Sequence, residues 1–185
     1  AATAQWWLSG GVSAANAIAV YQPIGAASLA ASYTNLANPG TYDAAPGVAP
    51  TWAAATGWTF NGSTQYLTTG VVPTATSTVI VRLSDANANT AVNAPVVGSG
   101  LIGSANGFQI VPQNTSGISA IFVYGSNFFL HSISITNAVM ALAGANCYID
   151  GGGIGVVAGT FTGAGLALFI GGHNDAGTPG RYADA

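Results

Sequence analysis

The sequence predicts an all-β fold. Three observations carry this: short apolar runs cut by Gly, Asn, Pro and Ser, side-chain alternation with period two, and turn dipeptides between the runs. From about Trp58 onward the runs recur every 8 to 15 residues or so, the spacing of a two-sheet sandwich or a barrel, and no long helix-period segment interrupts them. The run Thr78-Val79-Ile80-Val81-Arg82-Leu83-Ser84 puts Val79, Val81 and Leu83 on one face and Thr78, Arg82 and Ser84 on the other, as in a half-buried strand. Phe129, His131, Ile133 and Ile135 likewise share a side opposite Ser132, Ser134 and Thr136. Further strands are expected over 95–99, 107–111, 118–124, 139–143, 146–149, 155–157 and 166–170. Asn61-Gly62 and Asp150-Gly151 predict two hairpins, because both residues of each pair accept positive φ.

The first 57 residues differ in texture. They are rich in Ala, Pro and Gly, with one candidate strand over 17–21 and a loop-like stretch over 38–50. They read as an arm and an opening strand wrapped on a sandwich, so residues 1–185 form one domain with residues 1–14 as an N-terminal arm. No repeat of fixed period appears, which argues against solenoids and propellers.

Composition narrows the function. Only seven of 185 residues carry a formal charge: Arg82, Arg181 and five Asp, with no Lys and no Glu, for a net charge of −3. An average domain is about one quarter charged, so a value of 4% is a feature to be explained. Two arginines cannot neutralise a phosphate backbone, which excludes nucleic acid as a partner, and polybasic attachment to anionic membranes fails likewise. Half of the residues are hydrophobic, the opposite of a disordered composition. The start, Ala1-Ala2-Thr3-Ala4-Gln5-Trp6-Trp7, shows neither a basic n-region nor an apolar h-region. The charge-free stretch 151–172 contains nine glycines with Thr160 and Thr162, which suits turns better than a membrane helix, so no membrane insertion is expected. Cys147 is the only cysteine, which rules out an intrachain disulfide; with no cation or His nearby in sequence it reads as a small buried hydrophobe.

Five segments in order carry a family likeness: Gly57-Trp58-Thr59-Phe60-Asn61-Gly62-Ser63-Thr64-Gln65-Tyr66-Leu67, Thr78 to Leu83, Gly107-Phe108-Gln109-Ile110, Cys147-Tyr148-Ile149-Asp150-Gly151 and Leu168-Phe169-Ile170-Gly171-Gly172. Over roughly residues 58 to 173 the chain resembles the laminin G-like jelly roll of the concanavalin A-like lectin/glucanase superfamily. The resemblance implies a jelly-roll β-sandwich of two curved antiparallel sheets, the concave one often presenting a ligand surface. It also implies an extracellular or virion-surface setting, since similar domains serve in adhesion, carbohydrate binding, bacterial surfaces and phage structure. Such domains add a further apolar strand after the Ile-Gly-Gly element, whereas here Gly180-Arg181-Tyr182-Ala183-Asp184-Ala185 follows. Three readings answer this: a longer chain, a different closure, or an edge complemented by a neighbouring subunit's arm.

Candidate chemistry is sparse. Retaining glycosidases need two carboxylates about 5 Å apart; with no Glu and no two Asp closer than nine residues, no catalytic residue is assigned and the protein is read as non-enzymatic. Gly98-Ser99-Gly100-Leu101-Ile102-Gly103 matches a dinucleotide fingerprint but runs toward another strand, where a helix is required. No Gly-x-Ser-x-Gly elbow supports a hydrolase triad. His131, on the Phe129/Ile133 face, reads as a core or groove histidine. No cofactor is required, but Asn174 and Asp175, after His173, offer oxygen ligands of the kind calcium takes; ordinary turn formation explains the same pair. Asn61-Gly62-Ser63 and Asn114-Thr115-Ser116 are glycosylation sequons.

Of eighteen aromatics, Trp6 and Trp7 lie side by side in the arm, where they read as anchors on a neighbouring surface. No particular residue is assigned to sugar binding. The reading is therefore a structural protein that associates with itself or with neighbouring subunits, such as a virion component or an extracellular filament or surface layer. A carbohydrate-binding adhesion module is the alternative, and a glycosidase a remote one.

Overall fold

The computed structural model describes residues 5–8, 12–86, 93–101, 104–163 and 165–180. The chain opens with single 3-10 turns at Trp6–Leu8 and Ala14–Asn16 and one turn of helix, α1 (Leu29–Ser32), capped by the Ser28 hydroxyl accepting from Ala31 N at 3.1 Å. Strands follow in the order β1 (Ala45–Val48), β2 (Thr51–Ala53), β3 (Gly57–Thr59), β4 (Tyr66–Thr68), β5 (Thr78–Leu83), β6 (Val97–Ser99), β7 (Phe108–Val111), β8 (Ala120–Tyr124), β9 (Asn127–His131), β10 (Ala138–Ala143), β11 (Asn146–Ile149), β12 (Gly152–Val156), β13 (Phe169–Ile170), β14 (His173–Asp175) and β15 (Thr178–Gly180).

The protein is all-β. A large sheet runs β1-β4-β13-β6-β7-β8-β9 with antiparallel neighbours; β14 joins it by a parallel pairing with β6 and carries β15. A smaller antiparallel sheet runs β12-β11-β10-β5, and β2 with β3 makes a separate ribbon. The two main sheets share one core in a sandwich-like arrangement. Phe108, Ile110, Phe122 and Tyr124 enter it from the large sheet, and Leu83, Met140, Leu142 and Cys147 from the small one. Fully burying a side chain such as Phe122 or Met140 stabilises by about 1.5–3 kcal/mol. Phe161 closes one end, its ring 5.7 Å from Phe108 and 5.5 Å from Tyr124. The sheets also meet at β12 and β9, where Gly155 lies so close to the Phe129 ring that no Cβ fits.

Period two accounts for the small sheet. In β5 the inward Val79, Val81 and Leu83 alternate with the exposed Thr78, Ile80 and Arg82, as predicted. The Asp150-Gly151 hairpin forms between β11 and β12, with Ile149 opposite Gly152 and both turn residues at positive φ (48° and 81°).

Four expectations fail. Asn61-Gly62 does not join a hairpin: β3 pairs with β2, and β4 pairs with β1 and β13. The Asn61 side-chain oxygen instead accepts from the backbone N–H groups of Ser63, Thr64 and Gln65 at 3.0–3.2 Å, holding a wider turn that moves the chain between sheets. Residues 17–21 form no strand, because their backbone is held by the buried Asn35 side chain, whereas strands β1 and β2 overlap or follow the stretch expected to be loop. The alternation expected from Phe129 to Ile135 breaks at His131, where Ile133 N bonds His131 O at 2.8 Å; Ile133 turns to solvent and Ile135 stays buried.

Candidate functional site

The arm tryptophans lie on a 3-10 turn, edge to face at 5.9 Å and 87°. Trp6 is 53% exposed, and its indole N–H donates to Gln22 Oε1 at 2.6 Å. Gln22 also lines a shallow depression of about 160 Å³ together with Ile24, Gly25, Ala26, Ala31 and Leu36. Trp6 is thus an exposed ring tethered at the rim of a small apolar recess, while Trp7 is half-buried. The other two indoles serve the fold. Trp52 donates to Pro23 O at 2.9 Å and Trp58 to Ser32 Oγ at 2.7 Å, with Trp58 packed between Tyr21 and Tyr33.

Asn174 and Asp175 fall on β14. Asn174 is buried, with Nδ2 donating to Ala167 O at 2.9 Å and Oδ1 accepting from Gly177 N at 2.7 Å. That is the work of a turn former. Calcium takes six to eight oxygens or so, and among the described residues no three His, Cys, Asp or Glu side chains converge on a point. The Asn174 amide is thus engaged by backbone groups at both its nitrogen and its oxygen.

A second depression, of about 310 Å³, lies at one end of the small sheet and is lined by Arg82, Leu83, Ser84, Asn137, Ala138, Val139 and Asp150. It holds the only Arg among the described residues. Asp150 fixes its floor: Oδ1 accepts from Val139 N and the Asp150 N–H donates to Val139 O, both at 2.8 Å. Asn137 Oδ1 accepts from Asp85 N at 3.3 Å, so most of its polar groups also shape turns.

The remaining reactive groups are quiet. Cys147 is fully buried, and desolvation pushes its thiol up to about 12 despite a backbone hydrogen bond at Val157 that acts the other way. His131 is half-buried at the end of β9. The Asp43 carboxylate accepts from Asn35 N at 2.7 Å and from Gly40 N at 3.1 Å, a loop-holding role. Among the described residues no helix is long and apolar enough to cross a membrane.

The most extensive unusual feature is exposed apolar surface. On the outer face of the small sheet Ile80 is 66% and Val156 59% exposed, and Val139 stands out beside Arg82. On β9, Phe128 and Leu130 are also exposed. The sequence signal for these was present in the alternation: Ile80 has the parity of Thr78 and Arg82, and Phe128 and Leu130 flank the inward Phe129.

Comparison with known proteins adds no relative: no family, no curated protein and no solved structure matches the chain.

Proposed function

We propose that this protein is a non-catalytic structural subunit, built on a concanavalin A-like, laminin G-like jelly roll, that packs against copies of itself or neighbouring subunits in a virion or in an extracellular filament or surface layer. The observation that carries the reading is exposed apolar surface on a nearly charge-free molecule, with Ile80, Val139 and Val156 on one sheet face and Phe128 and Leu130 on another. Close packing of such faces buries few ions, and each buried ion costs several kcal/mol or so. Exposed Trp6, tethered through Gln22, adds an aromatic anchor of the kind enriched in interface hot spots. The non-catalytic part rests on the missing Glu and on carboxylates, such as Asp43 and Asp150, that hold backbone groups. Electron microscopy and light scattering on the purified chain test the reading. Defined oligomers or filaments are expected, and a monodisperse monomer at every concentration overturns it.

A second reading, a carbohydrate-binding module, is favoured by one observation. The depression at Arg82, Asn137 and Asp150 has the volume of a small-ligand site, about 300 Å³ or more, with an amide, a hydroxyl and charged groups at its rim. Glycan-array binding that is lost in Asn137→Ala supports it; no binding to any glycan removes it.

A further inference from the structure

We propose that two copies of this chain pair along β5, edge to edge and antiparallel, so that their four-stranded sheets join into one continuous sheet centred on Ile80. The inference rests on the self-assembly reading above and names the surface that does it.

Two of the other sheet edges are guarded. β1 contains Pro46 and Gly47 and a register shift, and β12 has three glycines beside a bulge. β5, by contrast, is a six-residue terminal strand with no Gly, no Pro and no irregularity in its pairing with β10.

The direction of its main-chain groups follows from its neighbours. Val139 turns both N–H and C=O to Asp150, away from β5. In an antiparallel ladder a residue's two groups point to one side and alternate along the strand. Met140 and Leu142 therefore bond β5, opposite Val81 and Val79. Ser77 O, which accepts from Gly144 N at 2.9 Å, has the same parity. Thr78, Ile80 and Arg82 thus turn their N–H and C=O to the outer edge, and no described residue bonds them.

That edge is complementary to itself. With a two-fold axis normal to the sheet at Ile80, Ile80 faces the second copy's Ile80 and Thr78 faces its Arg82, in both directions. All three are hydrogen-bonded pairs, each exchanging two N–H···O=C bonds. Side chains agree with this register. Val79 and Val81, inward but only half-buried, meet the second copy's Val81 and Val79, and the exposed Ile80 meets its own copy. The one cation on the strand sits opposite Thr, and the two Arg82 lie about four residues, or roughly 13 Å, apart along the strand, beyond the Debye length of about 8 Å at physiological salt.

The test uses the full chain. Sedimentation is expected to give a species of twice 18.2 kDa, with slowed amide exchange at Thr78, Ile80 and Arg82 that deepens with concentration. Ile80→Lys, at an exposed position, sets two ammonium groups against each other and is expected to weaken the dimer at least tenfold. Ile80→Cys is expected to cross-link on mild oxidation, whereas Val156→Cys on the far edge does not; the native Cys147 is buried. If Ile80→Lys assembles like the parent, or if those three amides exchange freely in the assembled state, β5 pairing is overturned while self-assembly stands. A parent chain that is monomeric throughout, with the same amides exposed, defeats both. Protection at every dilution without cross-linking means that the occupant belongs to the same chain, which also overturns the proposal.

Discussion

Gly171 sits at φ +79°, and a Cβ built on it would overlap the Phe60 ring. Two costs add in Gly171→Ala: about 1–2 kcal/mol for left-handed backbone and about 1–3 kcal/mol for overpacking. A loss of roughly 2–5 kcal/mol in denaturant unfolding is expected; a change under about 0.5 kcal/mol would mean that Phe60 swings away freely. Tyr33 gives the opposite sign. Its hydroxyl is sealed from solvent with no hydrogen-bond partner among the described residues, and burial raises its pKa. Removing an unsatisfied buried group relieves its desolvation cost, so Tyr33→Phe should be neutral or stabilising by up to about 1 kcal/mol, and a clear drop in melting temperature would reveal a bond to that oxygen. At this scale the sequence was partly legible. The inward parity of Val79 and Val81 and the buried, inert Cys147 could be read directly. Phe60 lying against Gly171 could not, because the contact joins positions more than a hundred residues apart.

Among the elements, the opening segment depends most on a single side chain. Asn35 is fully buried and uses its whole amide: Nδ2 donates to Ile18 O and Thr41 O, and Oδ1 accepts from Val20 N and Ala37 N, at 2.8–3.0 Å. It replaces the ladder that residues 17–21 lack, pinning an irregular strip to the loop before β1. Asn35→Ala leaves several buried backbone groups unpaired, each worth about 1–3 kcal/mol. Faster amide exchange at Val20 and Ala37 is expected, with the β7-β8 amides unchanged; uniform loosening would show instead that the strip and core unfold together. The same contrast marks where element prediction works. Strands β5 and β10 alternate, β11 follows β10 across a tight turn, and all three lie where the pattern puts them. Segments held by side-chain-to-backbone bonds, at Asn35 and Asn61, have no periodic signature, and Asn61-Gly62 therefore predicts the wrong turn. β14 and β15 escaped for another reason: at three residues each they are shorter than any pattern window, although Ala176-Gly177 between them takes positive φ like a hairpin turn.

At the scale of the molecule, charge is so scarce that pH and salt act through few groups. Burial pushes Cys147 from 9.0 and Tyr21 from 10.0 up to about 12, with the Asp43 carboxylate adding to the Tyr21 shift. The unfolded chain therefore loses these protons first. Their stabilisation is complete below about pH 9 and is lost as pH rises toward 12. Melting temperature should fall across that window, less steeply in Cys147→Ala, and an equal slope in that variant would show that Cys147 takes no part. Salt should do almost nothing to association. In the proposed β5 pairing the contacts are main-chain hydrogen bonds, Ile80 and Val79/Val81, and the two Arg82 are already separated beyond the screening length; the depression at Arg82 and Asp150 is the only described place where opposite charges gather. Screening weakens attraction between exposed ions, so an assembly with so few has little to lose. A dissociation constant unchanged within about twofold between 50 mM and 500 mM NaCl is expected from light scattering. Dissolution by moderate salt would instead place charged contacts at the interface, and with the described surface so nearly uncharged those would have to involve Arg82 and the Asp side chains.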